Sequence, residues 1–210
     1  STTVMAGYFP VFFKEYWNAG LAPVESTFRL GVANSVASLL IVLLAPLLGA
    51  VADYMSRRKA LLFLFAFLGM TMTASLYLVG EGNWLLAACL YVAALTGFSG
   101  SNIFYDSLLP FVSTHDELDH TSALGFSLGY LGGGLLLALN VVMTMYPDWF
   151  GLADSATAVR VSFLIVAAWW LVFSLPLLLL VDEPGGDGSS VSMAVFRQGF
   201  SRLWKTLLEV

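Results

Sequence analysis

Apolar residues come in long runs separated by short polar clusters, and run length carries the first inference. Gly31–Ala52, Ala60–Val79, Trp84 to about Phe111, Ala123–Tyr146 and Val161–Val181 are each predominantly apolar over twenty residues or more. A helix needs about 20 such residues to cross the hydrocarbon core of a bilayer, so each run predicts a transmembrane helix. Pro46 predicts a kink in the first of these runs, and Pro176 sits near the end of the last. An earlier run, Ser1–Phe13, reaches Lys14 too soon to span. It has no basic leader segment, so it does not read as a signal peptide. It reads as the tail of a helix, about 1–17, whose beginning precedes Ser1. The expectation is an all-α membrane protein of six transmembrane helices, about 1–17, 31–52, 60–79, 84–111, 123–146 and 161–181, the first truncated.

The pattern changes after Val181. Residues 183–190, within "DEPGGDGSS", predict a flexible linker. Residues 191–210 place Phe196, Phe200, Leu203, Trp204 and Leu207 at helical spacing, with Arg197, Arg202 and Lys205 between them. That is an amphipathic cytoplasmic helix, lying either on the membrane surface or on another part of the same protein. The domain organisation is then a bundle over 1–182, a linker and this helix.

Composition agrees with a lipid solvent. Hydrophobic residues make up 59% of the chain and charged ones 11%, against about 25% charged in an ordinary soluble domain. Mean hydropathy is +0.83. The net charge of −5 comes from loops, and no basic stripe interleaved with aromatics suggests nucleic acid. Cys89 is the single cysteine and makes no internal disulfide. Lys and Arg set the orientation. With the 49–59 loop inside, Arg57, Arg58, Lys59, Arg197, Arg202 and Lys205 are cytoplasmic, and Lys14, Arg29 and Arg160 are outside, in line with the positive-inside rule. Trp17, Trp84 and Trp149 then fall near the outer boundary, as an aromatic belt would. No nucleophile motif, phosphate loop or dinucleotide fingerprint occurs, so neither an enzyme nor a cofactor is expected.

One loop has its own pattern. "GAVADYMSRRK" places Gly49, Asp53, Arg57, Arg58 and Lys59 between the second and third helices. Gly49 is expected to let a neighbouring helix approach closely. Asp53 and Arg57 can pair at i, i+4 if the helix continues, and the bases hold the loop inside. The spacing resembles the loop signature of the major facilitator superfamily, with Tyr54 where a base is common and Ser56 where glycine is common. "TTVMAGYFPVFFKEYW", "NIFYDSLLP" and "ALGFSLGYLGGGLLLALN" narrow the resemblance to the vacuole-effluxer-like branch, which includes vacuolar amino-acid exporters and bacterial relatives. The resemblance implies an N-terminal half-bundle built as a 3+3 inverted repeat, partnered by a C-terminal six-helix half. Helices one, two, four and five would line a cavity, and three and six would be peripheral. It implies alternating-access transport of a small solute, an amino acid or similar metabolite, with a coupling proton or cation as a further partner. The 49–59 loop would act as a gate latch between the halves. The membrane would be a bacterial inner (plasma) membrane or a vacuolar-type one. The alternative is a six-helix scaffold or receptor that transports nothing.

Polar residues inside the runs are the candidate chemistry. In helix four, Ser99, Asn102 and Asp106 share a face at i, i+3 and i+7, with Tyr105 adjacent. A carboxylate costs about 2.5–3.5 kcal/mol at a span's centre and less near its ends. Asp106 therefore either lines the transport path, or sits shallow and bonds to the helix two–three loop, since Pro110 follows closely. Asn34 and Asn140 are the other candidate path residues, with interhelical hydrogen bonding as their plainer role. Gly125, Gly129, Gly132, Gly133 and Gly134 give helix five a small-residue face for close packing. In "STHDELDHTS", His115, Asp116, Glu117, Asp119 and His120 match no standard metal spacing. That loop reads as a solvated turn, with Asp119 or Thr121 capping helix five, and no metal is expected.

Overall fold

The computed structural model describes residues 2–54, 58–113 and 115–181, with the side chains of 2–4, 50, 53, 54 and 115 outside that description. Six helices run in sequence: α1 Thr2–Phe12, α2 Pro23–Tyr54, α3 Arg58–Ser75, α4 Trp84–Val112, α5 Leu118–Met145 and α6 Ser155–Leu180. A π-helical turn, Phe13–Trp17, ends α1, and a 3-10 turn, Leu76–Leu78, ends α3. Among the described residues there is no strand. Five of the helices are long and apolar enough to cross a membrane; α1 has 11 residues. The linker 183–190 and the helix expected over 191–210 lie outside the described residues.

Three helices begin five or more residues before their apolar runs do. α2 starts at Pro23, eight residues ahead of Gly31. Proline suits a first helical turn, where its missing N–H is no loss. Glu25 in that turn binds Arg29 at 2.5 Å, so the charges that end the apolar run are paired along the helix. α5 starts at Leu118, with Glu117 at its cap position. Asp119 and Thr121 therefore lie inside the helix, not at its cap. α6 starts at Ser155, where the Asp154 carboxylate accepts from the Thr157 N–H at 2.6 Å. That bond, followed by one from the Thr157 side chain, holds Asp154 below the usual carboxylate range. α2 and α6 remain helical through Pro46 and Pro176.

At the end of the bundle bearing Trp17, an aromatic cluster joins four helices. Phe9, Phe12, Phe13, Trp17, Tyr91 and Phe163 pack together with Leu76 and Val79. Phe9 stacks on Tyr91 with ring centroids 3.9 Å apart. Trp17 is fully buried and its indole N–H donates to the Val79 carbonyl at 3.3 Å. It is therefore a core residue and not part of a lipid-facing belt, because the π turn rotates it inward beside Phe13. Trp149, by contrast, is 74% exposed. Arg29 closes this end, donating to Asn18 Oδ1 at 3.1 Å and lying 4.1 Å over the Trp84 ring.

Below that cluster, α3 and α4 pack backbone to backbone. A Cβ on Gly97 would lie 2.5 Å from the Gly69 nitrogen, and one on Gly100 would lie 2.3 Å from the Phe65 ring. These glycines carry the close approach expected of helix five. In α5, a Cβ on Gly129 or Gly134 would meet nothing within 4 Å, and one on Gly132 only Trp169 at 3.9 Å; Gly133 is buried. Nor does Gly49 admit a neighbour among the described residues, since a Cβ there would also find open space. α3 and α6 complete the packing: Leu62, Ala66, Ala167 and Trp170 belong to one apolar cluster with Phe104 and Leu108.

Candidate functional site

Helix α4 packs most extensively on α3 and next on α2. Its buried stripe includes Ala94, Gly97, Gly100, Ser101, Phe104 and Leu108. At 3.6 residues per turn, Asn102 and Asp106 stand roughly 160° around the helix from Phe104. Both are exposed. The Asp106 side chain makes no hydrogen bond or ion pair with another described residue. Asp106 lies six residues before the end of α4 at Val112, roughly 9 Å along the axis. α2 covers one flank of this face, packing at Thr96, Ser99 and Ile103.

On the other flank a cavity of about 190 Å³ opens between α3, α4 and α6, lined by Leu62, Asn102, Tyr105, Trp170, Phe173 and Ser174 among others. The Ser101 and Ser174 hydroxyls that also border it donate to their own helices, at 2.8 Å each. Among the described residues that line it, the Asn102 amide, the Tyr105 phenol and the Trp170 indole N–H make no hydrogen bond. Gly125 makes room for Tyr105, because a Cβ there would lie 3.2 Å from the phenol oxygen. The family resemblance implies a peripheral helix six, and so Trp170 and Phe173 do not stand out from the sequence. The signal was the aromatic cluster "WWLVF" within an otherwise aliphatic run.

The other candidate residues lie elsewhere. Asn34 accepts from the Tyr91 hydroxyl at 3.0 Å, a tie between α2 and α4. Asn140 is fully buried. Its Nδ2 donates to the Leu136 carbonyl at 2.7 Å, and its Oδ1 has no partner. It neighbours Thr144, which bonds the Tyr8 hydroxyl of α1 at 3.3 Å. In this conformation Asn140 does not share the open face with Asn102 and Asp106. In the signature loop, the Asp53 side chain and Arg57 lie outside the described residues. Arg58 sits 5.0 Å over the Phe111 ring at the end of α4, and Lys59 donates to the Val181 carbonyl at 2.5 Å. His115 and Glu117 form a 3-10 turn into α5. Among the described residues no group of three or more His, Cys, Asp or Glu is arranged to hold a metal.

The site offers neutral hydrogen-bonding groups, aromatic faces and one carboxylate on a helix flanked by others, which is equipment for recognising a small molecule. The chain is 33% identical over 87% of its length to the uncharacterized MFS-type transporter YxiO of Bacillus subtilis. It is 25% identical over 82% of its length to autophagy-related protein 22 of Pyricularia oryzae. It spans 43% and 34% of those proteins, less than half of either. No solved structure matches it. The vacuole effluxer Atg22-like family profile matches residues 24–121 and 115–210, nearly the whole chain. Multiple membrane-length helices, a polar face on α4 and that match agree, and the chain belongs to the vacuole effluxer Atg22-like family.

Proposed function

We propose that this chain is the N-terminal half of a secondary transporter that moves an amino acid or similar small metabolite by alternating access. The uncovered polar face of α4 carries the reading: Asn102 and Asp106 point away from the helix's packed side, and residues of that kind in a span mark substrate or ion pathways. Asn102 and Tyr105 bind the solute within the α4–α6 cavity, and Asp106 stands at the mouth of the path, where it takes a proton or a coupling cation. Asn34 borders the path beside Tyr91, and Asn140 meets it only when α1 and α5 separate. The 49–59 loop braces this half against a second six-helix bundle. The protein would sit in a bacterial inner membrane or a vacuolar-type one.

Helix packing supports a 3+3 inverted repeat. Exchanging α1 with α4, α2 with α5 and α3 with α6 turns the α2–α4 contact into α1–α5 and α3–α4 into α1–α6, and leaves α3–α6 unchanged. All of these contacts occur, although α1–α5 and α1–α6 are much less extensive than the pairs they mirror and α5–α6 has no counterpart of similar extent. An in-plane pseudo-two-fold produces such a set. The test is counterflow of a radiolabelled amino-acid mixture in liposomes holding the full-length protein. Flux is expected, falling at least tenfold in Asp106→Asn and less in Asn102→Ala. No flux from the folded wild type with any mixture component would overturn the reading in favour of a scaffold.

A further inference from the structure

α3 and α6 run antiparallel, and each sends a cation to the other's end. Near the start of α3, Lys59 donates to the Val181 carbonyl, the C-cap of α6, at 2.5 Å. Near the start of α6, Arg160 donates through Nε and Nη2 to the Tyr77 carbonyl, in the 3-10 turn that ends α3, at 2.9 and 2.6 Å. Its guanidinium also lies 5.1 Å from the Tyr77 ring centroid. Carbonyls at a helix end have no donor within the helix. They also form the negative pole of the helix dipole, where a cation is favoured. In a membrane such groups must be satisfied by the protein itself. Between the two ends the helices mesh tightly: a Cβ on Gly69 would lie 2.5 Å from Trp170 Cη2.

We propose that Lys59 and Arg160 are the two fastenings of one internal strut that makes α3 and α6 a single rigid unit. Lys59 belongs to the loop otherwise read as a latch between halves, but its ammonium also reaches α6 within this half. The strut stands whatever the protein transports. Its consequence, that α3 and α6 move together as the halves rock, rests on the transporter reading.

Hydrogen–deuterium exchange on the full-length protein in detergent separates the two. In Lys59→Met, amides over 177–181 are expected to exchange at least fivefold faster, with 75–79 unchanged. In Arg160→Met the effect falls on 75–79 and spares 177–181. Lys59→Arg, which keeps a charged donor, should match the wild type. Should Lys59→Met not yield folded protein, Lys59→Gln is measured at the same amides with the same readings. Unchanged exchange over 177–181 without the Lys59 ammonium, or equal acceleration at both ends, overturns the strut. Variants that show the expected exchange pattern, together with a folded wild type that carries no flux, would retain the strut and remove the transporter reading.

Discussion

Gly97→Ala tests the central packing of the bundle. The added methyl carbon would lie 2.5 Å from the Gly69 nitrogen and 2.7 Å from both the Gly69 Cα and the Phe65 carbonyl oxygen, where ordinary contact begins near 3.4 Å. All three obstacles are α3 backbone, so no side chain can turn aside and the helices must part by close to 1 Å. A gap of 0.5–1 Å forfeits about a quarter to a half of the dispersion energy of the contacts it opens, and dispersion drives helix association in lipid. Overpacking of this kind costs about 1–3 kcal/mol. Alanine's better helix propensity returns up to about 1 kcal/mol. The net expectation is a loss of about 1–2 kcal/mol, read from SDS-induced unfolding of the full-length protein. Gly129→Ala is the control, since its Cβ meets nothing within 4 Å and only the propensity gain applies. If the two variants unfold at the same SDS fraction, the α3–α4 approach described here is wrong.

Two further outcomes follow from single polar groups. Asn140→Leu removes a buried amide whose Oδ1 has no partner, so unfolding free energy should stay level or rise by up to about 1 kcal/mol; a loss above about 2 kcal/mol would mean that a buried water satisfies that oxygen. Asp154 is held below its ordinary range by Thr157, so its stabilising effect is complete above the unfolded carboxylate value of about 3.9 and is lost as pH falls through the lower folded value. The difference in melting between wild type and Asp154→Asn should therefore be complete at pH 6 and shrink as pH falls below about 3.9; a difference that stays constant through the acid range would remove the carboxylate from the account.

The helices were legible because lipid imposes a length, and five apolar runs met it. Their starts were less so. Pro23, Glu25 and Arg29 look like a loop to a hydrophobicity criterion, yet they form a first turn because the charges pair along the helix. The contact between α3 and α4 was less legible for a related reason. Five glycines cluster in α5 and announce close packing, while Gly69 lies alone in α3 and Gly97 and Gly100 are three apart in α4. A helix approaches where two small surfaces face each other, so the position of Gly69 opposite Gly97 outweighs any density on one helix. Trp17 follows the same logic. Its place beside a polar turn suggests a belt, but the π turn sets its direction, and no composition rule sees that rotation.

Asn102 and Asn140 show the same limit at the candidate site. Each is a lone asparagine in an apolar helix, and periodicity assigns them equal standing. The structure separates them by phase alone: Asn140 turns into the packing beside Thr144 and Tyr8, while Asn102 stands opposite the stripe that α4 presses on α3. Phase depends on which partner packs most tightly, here the glycine contact between α3 and α4. Because that contact points Gly97 and Phe104 at α3, it necessarily turns Asn102 and Asp106 the other way. The close packing and the open polar face are thus one geometric fact. A substitution that rotates α4 to relieve the Gly97 contact should carry Asn102 and Asp106 toward a neighbouring helix, so the openness of this polar face depends on a glycine on the opposite side of α4.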